Sequence, residues 1–218
     1  QRQMCIRDRS SKLDRDRAQF TCLDRADDCK DLKQRWLDTL PLTEPVWIFA
    51  YGSLMWDPRF DFDISEPAKI FGYHRRFCVY SHIYRGTPEN PGLVFGLDRG
   101  GSCKGRAFRI SPPAARKVLS AVWDREMIYG VYLARNVYAK INNARVLCRT
   151  FVVNPNHEQY AAKMSSLQIA KIIIGANGEA GPNKSYLINT LNQIQTMGFS
   201  EPALCRIQHA VQRLLGGK

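Results

Sequence analysis

Two features of this 218-residue chain can do chemistry. One is a carboxylate. Ala115, Val118, Leu119 and Val122 recur at the spacing of one helix face, and the same period places Glu126 four residues after Val122 and seven after Leu119. A carboxylate aimed at apolar surroundings has its charged form disfavoured and its pKa raised, which suits a group that takes a proton and returns it near neutral pH. Arg125 adjoins it and Arg106 or Arg109 can approach, so an ion pair is the competing reading. The other feature is Trp47-Ile48-Phe49-Ala50-Tyr51-Gly52-Ser53-Leu54-Met55-Trp56-Asp57-Pro58, an apolar strand halted by small residues. A turn of that type leaves backbone N–H groups unpaired and forms a cradle for an anion such as a carboxylate.

Other chemistries find less support. Ser53 lacks the second glycine of a nucleophile elbow, and no histidine stands out as its partner. Gly175, Gly178 and Gly181 do not follow a strand, which argues against a dinucleotide fingerprint. The four histidines and seven cysteines show no metal-ligand spacing, so no metal is expected and the cysteines read as reduced thiols. The formal charge of +12 includes +3 from the first twenty residues, and the remaining basic residues are scattered without a contiguous run. A generally basic surface is expected, with neither a nucleic-acid nor a membrane partner. No apolar run approaches the roughly 20 residues of a membrane helix, and the charged start is unlike a secretory signal; a cytoplasmic protein is expected.

The elements that must position these groups follow in chain order. Residues 1–20 have no hydrophobic period and are expected to be disordered; Met4 to Arg9 also resembles the translated end of a transposon adaptor used in DNA library preparation, an artefact. Residues 21–44 hold a short amphipathic helix through Leu32, Trp36 and Leu40 and an extended lead past Pro41 and Pro45. Residues 45–218 form the main domain. Strands are expected at 47–50, at 68–81 as one bent or two short strands around Gly72, at 93–97 and 105–110 as a hairpin turning at Asp98-Arg99-Gly100-Gly101, and at 129–138 and 146–153. Helices are expected from Ser111-Pro112-Pro113 to Glu126, from about Glu158 to Ile174, after Gly181-Pro182-Asn183, and from Ser200 until Gly216-Gly217. Strands first and helices later argue an α+β fold, a small, mostly antiparallel, barrel-like sheet covered by helices.

Phe49-Ala50-Tyr51-Gly52-Ser53-Leu54-Met55-Trp56, Gly72-Tyr73-His74-Arg75-Arg76-Phe77, Arg85-Gly86-Thr87-Pro88-Glu89 with Pro91-Gly92-Leu93, Trp123-Asp124-Arg125-Glu126, and Gly181-Pro182-Asn183-Lys184-Ser185-Tyr186-Leu187 occur in that order. Together they resemble the ChaC-family γ-glutamylcyclotransferases of the glutathione-specific type. The resemblance implies a barrel-like fold that cyclises glutathione to 5-oxoproline and releases Cys-Gly, with no cofactor. It implies Ala50, Tyr51, Gly52, Ser53, Leu54 and Met55 as the substrate cradle and Glu126 as the acid/base. Met55 stands where the family usually has Ile, and Met127-Ile128-Tyr129 departs from its pattern. Other γ-glutamyl amino acids or amines as substrates, and a non-catalytic γ-glutamyl-binding module, are the alternatives. Arg85 is a candidate positive charge for the Cys-Gly portion.

Overall fold

The computed structural model describes residues 26–216. The expected disorder of residues 1–20, and Gly217, lie outside them. Helix α1 (Ala26–Asp38) leads into β1 (Val46–Ala50) and one turn of 3-10 helix (Ser53–Met55). β2 (Ile64–Ser81), β3 (Gly92–Ile110) and α2 (Pro112–Glu126) follow, then β4 (Tyr132–Ile141) and β5 (Ala144–Val153). The chain ends in α3 (Ser166–Gly175), a two-residue ladder of β6 (Asn177–Gly178) with β7 (Gly181–Pro182), α4 (Asn183–Thr196) and α5 (Pro202–Gly216).

The five long strands close into a barrel in the order β1-β3-β2-β4-β5. Every pairing is antiparallel except the closing one, where β5 runs parallel to β1 with Trp47 opposite Cys148. Closure pairs each long strand with two neighbours and leaves none of them at a sheet edge. Phe49, Phe77, Phe95, Phe108, Ile70, Leu93 and Leu97 are among the largest fully buried side chains, with Phe49 and Phe108 on opposite faces of the β1–β3 pair. Phe77 and Phe95 pack ring against ring, with centroids 4.0 Å apart and planes tilted by 36°.

Several boundaries differ from expectation. Residues 98–101 are not a hairpin turn: β3 continues through them against β2, and the connection between the two strands is residues 82–91. Gly100 and Gly101 have φ of 92° and 70° opposite the Gly72 bend of φ 84°, with the register shifting between Phe71 and Tyr73. Glycines with positive φ serve a turn and a bulge equally, and the long β2 partner selects the bulge. α3 starts at Ser166 rather than near Glu158, because Ser165 and Gln168 form a reciprocal capping box. Residues 154–165 instead form a loop, pinned where Gln159 O accepts from Tyr80 N at 2.9 Å. β4 starts at Tyr132 and not Tyr129, since Gly130, with φ 65°, ends the exit turn from α2. α1 begins before Leu32, and its Trp36 packs on Trp123 of α2 at 5.1 Å.

Candidate active site

α2 ends at Glu126, and its period holds: Val118, Leu119, Val122 and Trp123 are buried, and the Glu126 side chain is 16% exposed. Burial pushes the Glu126 carboxyl from 4.5 up to about 7, and the Arg125 guanidinium, 3.7 Å away, only partly opposes this. The cause is loss of water around the ionised form. Arg106 and Arg109 do not approach it. Arg106 reaches Ser65 Oγ and Gln193, and Arg109 pairs with Asp63.

Glu126 borders a cavity of about 790 Å³, within the usual range of small-molecule sites. The cradle loop forms one wall through Tyr51, Gly52, Ser53 and Leu54. Ala50 and Met55 do not border the cavity; both are buried, supporting the loop from behind. The 3-10 turn directs Met55 N to Gly52 O and Trp56 N to Ser53 O, so the N–H groups of Ser53 and Leu54 have no partner within the turn. Ser53 Oγ accepts a hydrogen bond from Arg125 at 3.1 Å, and no histidine is hydrogen-bonded to it among the described residues. Among the described residues no base is hydrogen-bonded to it to make it a nucleophile.

Two arginines hold this loop, Arg75 at its start and Arg125 farther along it. Arg125 donates to Asp57 O at 2.7 Å as well as to Ser53. Arg75 of β2, 3% exposed, donates to Tyr51 O at 2.5 Å and Lys104 O at 2.6 Å, and pairs with Glu201 at the start of α5. The branched guanidinium thereby ties the loop, the barrel and the C-terminal helix together, which a single-headed lysine cannot do.

Three tyrosines sit around the carboxylate. Tyr132 of β4 donates its hydroxyl to Phe95 O at 2.8 Å, and Phe95 N donates to the Tyr186 hydroxyl at 3.3 Å. Tyr51 turns its hydroxyl toward Tyr132. Burial raises the pKa of all three, and Glu126 adds to the effect, so they are neutral phenols near pH 7. Arg85 lines the cavity beside Tyr186, its guanidinium 5.4 Å from the ring centroid, and donates to Ala180 O at 2.6 Å. The roles of Arg75, Tyr132 and Tyr186 were not legible in the sequence: each lies far along the chain from the loop it serves. Arg75 and Tyr186 stand in the sequence only as members of the Gly72–Phe77 and Gly181–Leu187 motifs. Among the described residues no group of three or more histidine, cysteine, aspartate or glutamate side chains is arranged to hold a metal ion.

A closed small barrel flanked by helices is the architecture of the γ-glutamylcyclotransferase fold. The crystal structure of a γ-glutamyl cyclotransferase specific to glutathione from yeast superposes with a TM-score of 0.71, covering 78% of this chain and 97% of that one at 20% identity. Residues 46–214 match the ChaC-like protein family, and the chain belongs to it. The glutathione-specific γ-glutamylcyclotransferase of Escherichia coli is 34% identical over 78% of this chain and 74% of its own. That of Schizosaccharomyces pombe is 34% identical over 69% of this chain and 83% of its own.

Proposed function

We propose that this protein cleaves glutathione by internal cyclisation to 5-oxoproline and Cys-Gly, with Glu126 as base and then acid. The carrying observation is the buried carboxylate on the wall of a cavity it shares with the Tyr51-Gly52-Ser53-Leu54 loop. The chain's membership of the ChaC-like family and its likeness to the glutathione-specific relatives support the same reading.

The chemistry requires the α-amine of the γ-glutamyl unit to attack its own γ-carbonyl. A bond forms between the amine nitrogen and the γ-carbon, and the bond from that carbon to the cysteine nitrogen breaks. Counted from the ammonium form, two protons leave the amine nitrogen and two reach the departing nitrogen, and nothing else enters or leaves; Glu126 takes the first of them, from the ammonium. An α-amine has a pKa of roughly 8, so a carboxylate at its ordinary 4.5 takes that proton at a cost of about 5 kcal/mol. At about 7 the cost falls to roughly 1.4 kcal/mol. Burial is therefore what makes Glu126 a usable base, and general acid–base catalysis by a positioned side chain is typically worth about a hundred- to ten-thousand-fold. The free N–H groups of Ser53 and Leu54 would hold the α-carboxylate, and fixing the amine against the carbonyl contributes through geometry. Arg85 would supply positive charge toward the Cys-Gly end. The unpaired thiols of Cys78, Cys103 and Cys148, all buried, support a reducing, cytoplasmic setting.

The test incubates the full chain and its Glu126→Gln variant with glutathione and, separately, γ-glutamylalanine, following 5-oxoproline by mass spectrometry. Product from glutathione that is lost in the variant is expected. Product mainly from γ-glutamylalanine changes the substrate, and no product from folded protein removes the enzymatic reading.

A further inference from the structure

Cyclisation places negative charge on the γ-carbonyl oxygen as the amine adds, and a base alone does not stabilise it. The three tyrosines around Glu126 differ in what their hydroxyl hydrogens are doing. Tyr132 spends its hydrogen on Phe95 O at 2.8 Å. Tyr51 directs its hydroxyl to the Tyr132 oxygen. Tyr186 is the opposite case: its oxygen accepts from Phe95 N at 3.3 Å, which occupies a lone pair and leaves its own hydrogen without an acceptor among the described residues.

The position of that hydroxyl is equally specific. Tyr186 is 6% exposed, yet it lines the cavity. A Cβ built on Gly52 would stand 2.9 Å from the Tyr186 oxygen, so the hydroxyl lies directly against the bare backbone of the cradle loop. Any larger residue at 52 displaces it. The ring is fixed by Trp56 at 5.4 Å, Phe95 at 5.1 Å and the Arg85 guanidinium at 5.4 Å. The positive charge over its face favours electron density moving toward the ring, which strengthens the O–H as a donor.

We infer that the Tyr186 hydroxyl donates its unused hydrogen to the γ-carbonyl oxygen of the substrate as that oxygen becomes an oxyanion, with Phe95 N–H holding the phenol in place. The inference rests on the cyclotransferase reading given above. The hydrogen bond forms to the substrate and strengthens in the transition state, while the proton stays on tyrosine throughout. A fixed donor in a site shielded from water is the arrangement that differential stabilisation of developing charge requires. Gly52 then has a second reason to be glycine: it leaves room for a hydroxyl contributed from α4.

The test measures glutathione turnover by the full chain carrying Tyr186→Phe, or 3-fluorotyrosine at position 186, beside wild type. Loss of one oxyanion donor costs about a hundred- to a thousandfold in kcat. Tyr186→Phe is expected to show that fall with KM changed less than threefold. The 3-fluorotyrosine protein, with a nearly isosteric and more acidic phenol, is expected to keep or exceed wild-type kcat, a response that a packing role does not produce. Gly52→Ala is expected to lower kcat similarly, and the double variant to be no worse than the poorer single one, since both remove the same interaction. A Tyr186→Phe enzyme within threefold of wild type in kcat overturns the inference, as does an effect confined to KM. Should Tyr186→Phe fail to fold, a fluorotyrosine enzyme slower than wild type by tenfold or more overturns it. Wild-type protein that forms no 5-oxoproline removes the cyclotransferase reading itself, and with it this role; wild-type activity with an indifferent Tyr186 removes only the role.

Discussion

Replacing Glu126 by glutamine should raise stability and abolish turnover together. The carboxyl moves from 4.5 to about 7 on folding because it is buried, with Arg125 compensating only in part. The folded state therefore binds this proton more tightly than the unfolded chain does. Its stabilising contribution is complete below about pH 4.5 and is lost as pH rises through about 7. At roughly 1.4 kcal/mol per pH unit, holding Glu126 ionised in the folded protein costs about 3 kcal/mol. Glutamine has nearly the same shape and is neutral at every pH. The variant's advantage should be near zero at pH 4.5 and grow to about 3 kcal/mol by pH 8, a rise in Tm of roughly 6–12 °C for a chain of this size. Guanidinium melts of both proteins at pH 5 and pH 8.5, beside 5-oxoproline assays, measure it. A stability difference that does not change with pH refutes the reasoning that burial tunes this carboxylate, and a fully active variant refutes its role as base.

The same shift predicts that wild-type kcat/KM rises with pH through about 7, because the ionised carboxylate is the working form. Arg125→Met removes the charge that partly opposes burial, so this limb should move to higher pH; a pH-rate profile reads the displacement, with a loss of activity also expected because Ser53 and Asp57 lose their anchor. Arg75→Met should destabilise the protein by about 3–5 kcal/mol, since it strands Glu201 and frees the Tyr51 carbonyl; chemical denaturation checks this. Ser53→Ala should leave turnover within about tenfold of wild type in the 5-oxoproline assay, because the hydroxyl only accepts from Arg125. A complete loss there would reopen a nucleophilic role for Ser53.

Local periodicity and punctuation were good guides wherever the determining contacts were local. The helix ending at Glu126 was legible because an apolar stripe repeats every three to four residues, and the same stripe aimed the carboxylate inward. The turn at Gly52-Ser53 was legible because an apolar strand stops there. Asp98-Arg99-Gly100-Gly101 misled because its composition fits a hairpin, while a continuous β2 partner makes it a bulge. α3 starts later than its loose hydrophobic period suggests, because the capping box of Ser165 and Gln168 fixes its first turn.

From the sequence alone came a buried carboxylate, a backbone cradle, an α+β class and the ordered motifs that mark the family. Each depends on neighbours within a few residues or on the order of segments along the chain. Tertiary structure decided the rest. It brought Glu126, the 51–54 loop and Tyr186 to one cavity, excluded Ala50 and Met55 from its wall, and anchored the loop through Arg75 and Arg125. Those outcomes depend on barrel closure and on helices returning from distant positions. Which hydroxyl keeps a hydrogen to give is settled by hydrogen bonds between residues roughly 40 and 90 apart along the chain. No local pattern encodes them.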